Sequence, residues 1–88
     1  MAVLIDPPRW PAHDRLWSHL VSDVSYDELL AFGDANGLPR RGFDHDHYDV
    51  PAERYEELVT AGALPVPARE LLQRLVDAGL RQRPRDRR

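Results

Sequence analysis

The chain has 88 residues, a formal net charge of −3 and no cysteine. That length allows one domain with a thin core, burying only about 60 to 65% of the surface its unfolded chain exposes. No disulfide framework or thiolate metal cage is available, and no stretch approaches the roughly 20 apolar residues of a membrane span, so a cytoplasmic protein without a secretion signal is expected.

Charge is unevenly placed. All 12 basic residues are arginine, and residues 81–88 carry five of them with one aspartate, leaving an acidic body and a basic tail. The acidic body argues against nucleic acid as a partner and reads the tail as a solvated end.

In chain order, Val3, Leu4 and Ile5 predict a short buried strand that Asp6-Pro7-Pro8 breaks, because proline supplies no ladder donor. Residues 7–15, rich in proline and charge, read as a loop. Leu16 to Val21 alternates, with Leu16, Ser18 and Leu20 on one face and Trp17, His19 and Val21 on the other. This predicts a strand, with a short helix as the alternative. Ser25-Tyr26-Asp27-Glu28 has the form of a capping box, and Asn36-Gly37 is a left-handed stop, so a helix is expected from Tyr26 to about Ala35.

Arg40 to Phe43 and Tyr48 to Val50 read as a strand ending in a polar turn. Pro51 suits a first helical turn, with Tyr55, Leu58 and Val59 on the apolar face and Gly62 as the stop. Ala63 to Val66 is a short strand, and Pro67 opens a third helix that ends at Gly79 with Leu71, Leu72, Leu75 and Val76 inward. The order of elements predicts a single α/β domain over residues 1–80: a small open, mainly parallel sheet of about four short strands with three helices. Residues 81–88 lack periodicity and are expected to form a basic disordered tail.

In an open α/β sheet, ligands gather where loops leave the carboxyl ends of strands. Asp6 falls at such an end, as does Asp44-His45-Asp46-His47-Tyr48-Asp49. If that segment is extended, His45, His47 and Asp49 share a face and could converge on a cation. The bland reading is a solvated loop in which Asp49 caps the helix near Pro51, and it is preferred for Asp49. His19 needs a partner if buried, and Asp6 could supply one. Arg40 and Arg41 could grip a phosphate or carboxylate, although strand alternation would send them to opposite faces. Trp10 and Trp17 are expected to cover the core edge. No phosphate-loop, nucleophile-elbow or dinucleotide pattern occurs.

The Val3-Leu4-Ile5-Asp6 opening, Trp17-Ser18-His19-Leu20 with Ser22-Asp23, Glu28-Leu29, Leu38-Pro39-Arg40-Arg41 and above all His47-Tyr48-Asp49 resemble one bacterial family, the domain of unknown function 4031. The resemblance spans residues 2–78. It implies no activity, but the matching positions are Asp6, His19, Arg40, Arg41, His47, Tyr48 and Asp49, while His45 lies outside the pattern.

Two readings follow. In the first, these residues line a polar pocket for an anionic or phosphate-bearing small molecule, with hydrolysis assisted by a divalent metal. His19 and His47 then act as general acid or base, Asp6, Arg40, Arg41 and Asp49 bind ligand, and Asp6, His19 and His47 hold the metal. In the second, the same residues are a buried network in a non-catalytic module that pairs with a copy of itself or another protein.

Overall fold

The computed structural model describes residues 2–86. Val3–Ile5 form β1, whose three residues are all buried, as their aliphatic run requires of a central strand. Two further strands follow directly: β2, Trp10–Ala12, and β3, Arg15–Ser22. They pair as a hairpin, with Trp10 opposite Trp17. The hairpin turns through His13 and Asp14, both with positive φ (51° and 61°). Residues expected as loop thus contain an edge strand, where Pro11 is tolerated because an edge position needs fewer ladder donors.

The first helix, α1, spans Tyr26–Ala35 with Ser25 as its cap, the Ser25 side chain accepting from the Glu28 N–H at 3.0 Å. Only half of the expected box forms. Glu28 does not return to Ser25; its carboxylate accepts from the Ser22 hydroxyl at 2.6 Å, and that hydroxyl in turn receives the Ser25 and Val24 N–H groups. The helix start is thereby tied to the end of β3.

Arg40–Gly42 make a 3₁₀ turn rather than the expected strand, and only Phe43–Asp44 pair, as β4, with β5, His47–Pro51. A second 3₁₀ turn, Ala52–Arg54, precedes α2, Tyr55–Thr60; then come β6, Leu64–Pro65, and α3, Ala68–Asp77.

The sheet has six strands in the order β4-β5-β3-β1-β6, with β2 on β3. Its pairs are antiparallel except β1 with β6, so the expected sheet of about four mainly parallel strands is corrected. The physical reason lies in the hairpins. The helical connections do join strands running the same way, β3 to β4 through α1 and β5 to β6 through α2. After β4 the chain folds back and β5 slips between β3 and β4, which a parallel reading would have made neighbours, while β3 and β1 stand between β5 and β6.

Helices lie on both faces. On one, Leu29 of α1 and Leu58 of α2 pack with Val3, Ile5, Leu20, Tyr48 and Val50. On the other, Leu71 and Leu75 of α3 pack with Leu4 and Val21. No helix among the described residues is long and apolar enough to cross a membrane.

Gly33 of α1 is required where Tyr48 crosses beneath it, because a Cβ there would lie 2.7 Å from the tyrosine hydroxyl oxygen. Gly33→Ala is expected to cost about 1 to 3 kcal/mol by overpacking, despite the better helix propensity of alanine. Urea unfolding checks this; a mutant as stable as the parent would show that Tyr48 moves aside freely.

Candidate functional site

Alternation along β3 and β5 sorts the polar side chains. Leu20, Tyr48 and Val50 go to the core beneath α1 and α2, which sends His19, His47 and Asp49 to the opposite face. His19 stands directly across from Asp49 in the ladder. The His19 and His47 rings meet edge to face with centroids 5.3 Å apart. One ligand atom from each of His19, His47 and Asp49 lies within 4.8 Å of the others.

Behind each imidazole stands a buried carboxylate. Asp6 is 1% exposed, and its two oxygens accept from the His19 backbone N–H at 2.6 Å and face His19 Nδ1 at 2.9 Å. The Trp10 indole N–H adds a third donor at 3.3 Å. Asp46 is fully buried and lies 2.7 Å from His47 Nδ1. A carboxylate can only accept, so each Nδ1 is the donor to its aspartate and each Nε2 points away from it. His47 Nε2 lies 3.2 Å from Asp49, whose side chain is 45% exposed.

The other oxygen of Asp46 is held from the C-terminal segment, by the Gln82 N–H at 2.7 Å and the Arg81 guanidinium at 3.3 Å. The Leu80 carbonyl accepts from the Tyr26 hydroxyl, which fixes the same segment to α1. The boundary expected at residue 81 therefore falls inside a set of contacts with the site. Part of the expected tail, residues 87–88, lies outside the described residues.

Asp6, His19, His47 and Asp49 come together, with Asp6 behind His19 rather than beside the convergent nitrogens. Asp49 caps no helix, because a 3₁₀ turn intervenes and α2 begins after Arg54 without a side-chain cap. His45 sits in the β4–β5 turn, bonded to Asp44 at 2.7 Å, so the third member of the expected His45, His47 and Asp49 face is His19 instead. Arg40 is engaged by Asp34 through two bonds of 3.0 and 2.7 Å. Arg41 lines a separate groove of ≈ 700 Å³ that reaches Asp49 and Trp10. A smaller groove, ≈ 330 Å³, runs between the histidines and α3. Asp46 was not assigned a role by sequence reasoning; its place beside His47 was visible, but its burial was not.

Burial alone would depress the His47 pKa, but hydrogen bonds and charge from Asp49 and Asp46 outweigh it and hold the imidazole above its ordinary 6.5. A raised folded-state value means that this ion-paired arrangement stabilises the fold fully below the unfolded pKa and loses that contribution as pH rises through the folded one. An NMR titration of His47 should give a pKa above that of a free imidazole, and Asp49→Asn should lower it. No change in the mutant would remove Asp49 as the cause. Separately, ending the chain at Leu80 strips two donors from buried Asp46 and is expected to cost about 1 to 3 kcal/mol; a truncated protein as stable as the full chain would show that water replaces them.

No curated protein and no solved structure matches the chain. Residues 3–78 match the family described as Protein of unknown function (DUF4031), which takes in β1 through α3 with His19, His47, Asp49 and both buried carboxylates. The chain belongs to the DUF4031 family.

Proposed function

We propose that His19, His47 and Asp49 bind one divalent transition metal ion, and that the protein uses it to hydrolyse an anionic, phosphate-bearing small molecule. The observation that carries this reading is the paired arrangement: two imidazoles converge with a carboxylate, and each has its Nδ1 held by a buried aspartate. Carboxylate-backed imidazoles are the usual outer support of metal-ligating histidines, because the hydrogen bond fixes the tautomer and raises ligand basicity.

Two nitrogens and one oxygen form a donor set suited to zinc or iron, and three protein ligands leave positions for water and substrate. A bound ion supplies a water of lowered pKa and neutralises charge on a phosphoryl oxygen. In the hydrolysis, the water oxygen would bond to phosphorus as the ester P–O bond breaks, and the departing alcohol would take up the proton that the water gives up. His19 and His47 act here as ligands, with Asp6 and Asp46 as the groups that position them. The cysteine-free composition suits a reducing cytoplasm.

A second reading is a structural network, favoured by the burial of Asp6 and Asp46, in a module that binds other proteins through surface such as exposed Leu72 and Val76. Calorimetric titration with zinc and with manganese, together with thermal melts, separates the two. In the metal reading, an ion at 100 times its Kd stabilises the fold by about 2.7 kcal/mol. His19→Ala and His47→Ala abolish the response, and Asp6→Asn or Asp46→Asn weakens binding by about 10- to 100-fold. Turnover of p-nitrophenyl phosphate by the loaded protein, lost in His47→Ala, tests the hydrolysis. Mutants that melt early, in a parent that no metal stabilises, would leave the structural network standing and end the metal reading.

A further inference from the structure

The larger groove, ≈ 700 Å³, adjoins the metal-ligand cluster at Asp49 and Trp10. Its size falls within the range of small-molecule sites, and its walls combine apolar and aromatic surface with a few polar groups, as such sites do. Trp10, Trp17 and Phe43 supply rings, and Arg41 supplies a cation.

Both indoles are fixed in place. The Trp10 N–H donates to Asp6 and its ring packs on His19 at 5.1 Å, while the Trp17 N–H donates to the Ala12 carbonyl at 2.9 Å. Trp10 and Trp17 are cross-strand partners, so they project from the same face of the β2–β3 hairpin, and both line the groove. Rings held this way lose little freedom when something stacks on them.

The two arginines of the Arg40-Arg41 pair differ. Arg40 is neutralised by Asp34, whereas Arg41 makes no ion pair among the described residues. Its guanidinium therefore brings a cation without an ion-pair partner to a groove whose lining also holds Arg54, already paired with Glu57, and the acidic Asp44 and Asp49.

We propose that this groove is the substrate site and takes an anion carrying a flat ring, such as an aryl phosphate or a nucleotide, with the ring on the Trp10 and Trp17 wall and the anion on Arg41. This rests on the metal reading only for what happens at Asp49; recognition of ring and charge belongs to the groove itself. A small aliphatic phosphate would engage Arg41 but leave the aromatic wall in water. An uncharged ring would do the reverse.

The chain has two tryptophans, and both line this groove, so intrinsic fluorescence reads it directly. The probe is phenylphosphonate, which cannot be hydrolysed as an ester, titrated into metal-free and zinc-loaded full-length protein. Methylphosphonate serves as the anion without a ring and benzyl alcohol as the ring without an anion.

Phenylphosphonate should change the emission saturably and bind at least about tenfold more tightly than either comparator, the order of gain that one stacked ring or one charge-assisted fork provides. Arg41→Ala should lose about tenfold in phenylphosphonate affinity while zinc affinity by calorimetry stays unchanged, and Arg41→Lys should restore part of it. Equal binding of methylphosphonate would overturn ring recognition, and an unaffected Arg41→Ala would overturn the anion site. Should zinc fail to bind at all, the metal reading falls, and the metal-free titration still decides the groove.

Discussion

The register between β3 and β5 is the constraint on which the site depends. Leu20 pairs with Tyr48 and His19 with Asp49, so the apolar partners and the polar partners occupy opposite faces of the same two strands. Shifting β5 by one residue would turn Tyr48 and Val50 away from the core and drive His47 and Asp49 into it, and the same slip in β3 would exchange Leu20 with His19. Leu20 and Val50 are fully buried and Tyr48 nearly so, and their burial beneath α1 and α2 holds the register. Core packing and site geometry are thus one requirement expressed on two faces. This explains why the His47-Tyr48-Asp49 triplet works as a unit although its tyrosine never meets the cluster: Tyr48 anchors the strand that presents its neighbours.

The second requirement is electrical. A carboxylate withdrawn from water must be met by donors, or it destabilises the fold by several kcal/mol. Asp6 and Asp46 meet this in the same way from unrelated parts of the chain. Each faces a histidine Nδ1 with one oxygen and takes a backbone N–H, from His19 or from Gln82, on the other. The donors behind each aspartate fix it, and the fixed aspartate fixes the ring. Such double support is more than burial needs, since a lone hydrophobic side chain at either position would avoid the desolvation altogether. It does produce two imidazoles whose orientation is set before any ligand arrives.

Much of this was legible in the sequence wherever the signal was local. The run Val3 to Ile5, the alternation from Leu16 to Val21 and the Ser25 cap each specify an element from adjacent residues, and the structure forms all three. The pairing of Asp6 with His19 followed from the need of a half-buried imidazole for a partner. What was not legible depended on long-range return of the chain. Pro11 and the His13-Asp14 turn conceal the β2 hairpin, because hairpin turns with positive φ usually announce themselves with asparagine or glycine. With two hairpins unseen, alternating strands and helices suggested a parallel sheet. Asp46 was one acid among several in a polar run, and only the approach of residues 81 and 82 gives it a buried environment.

Helix length accounts for where the site opens. The ten residues of α3 span about 15 Å, whereas the eight residues of β3 reach about 26 Å. One such helix covers only part of the face, and it settles on Leu4 and Val21, where apolar side chains reward it. Along β3 the next two positions on this face are His19 and Trp17, beyond the helix. Exposure rises accordingly across the cluster, from Asp6 at 1% through the His47 side chain at 15% to that of Asp49 at 45%. A covering helix would have forced His19, His47 and Asp49 into dry surroundings too, adding their desolvation to that already met at Asp6 and Asp46. The uncovered strip leaves the outer edge of the cluster wet and its base dry, so the anchoring carboxylates are shielded while Asp49 and the facing nitrogens stay within reach of a ligand.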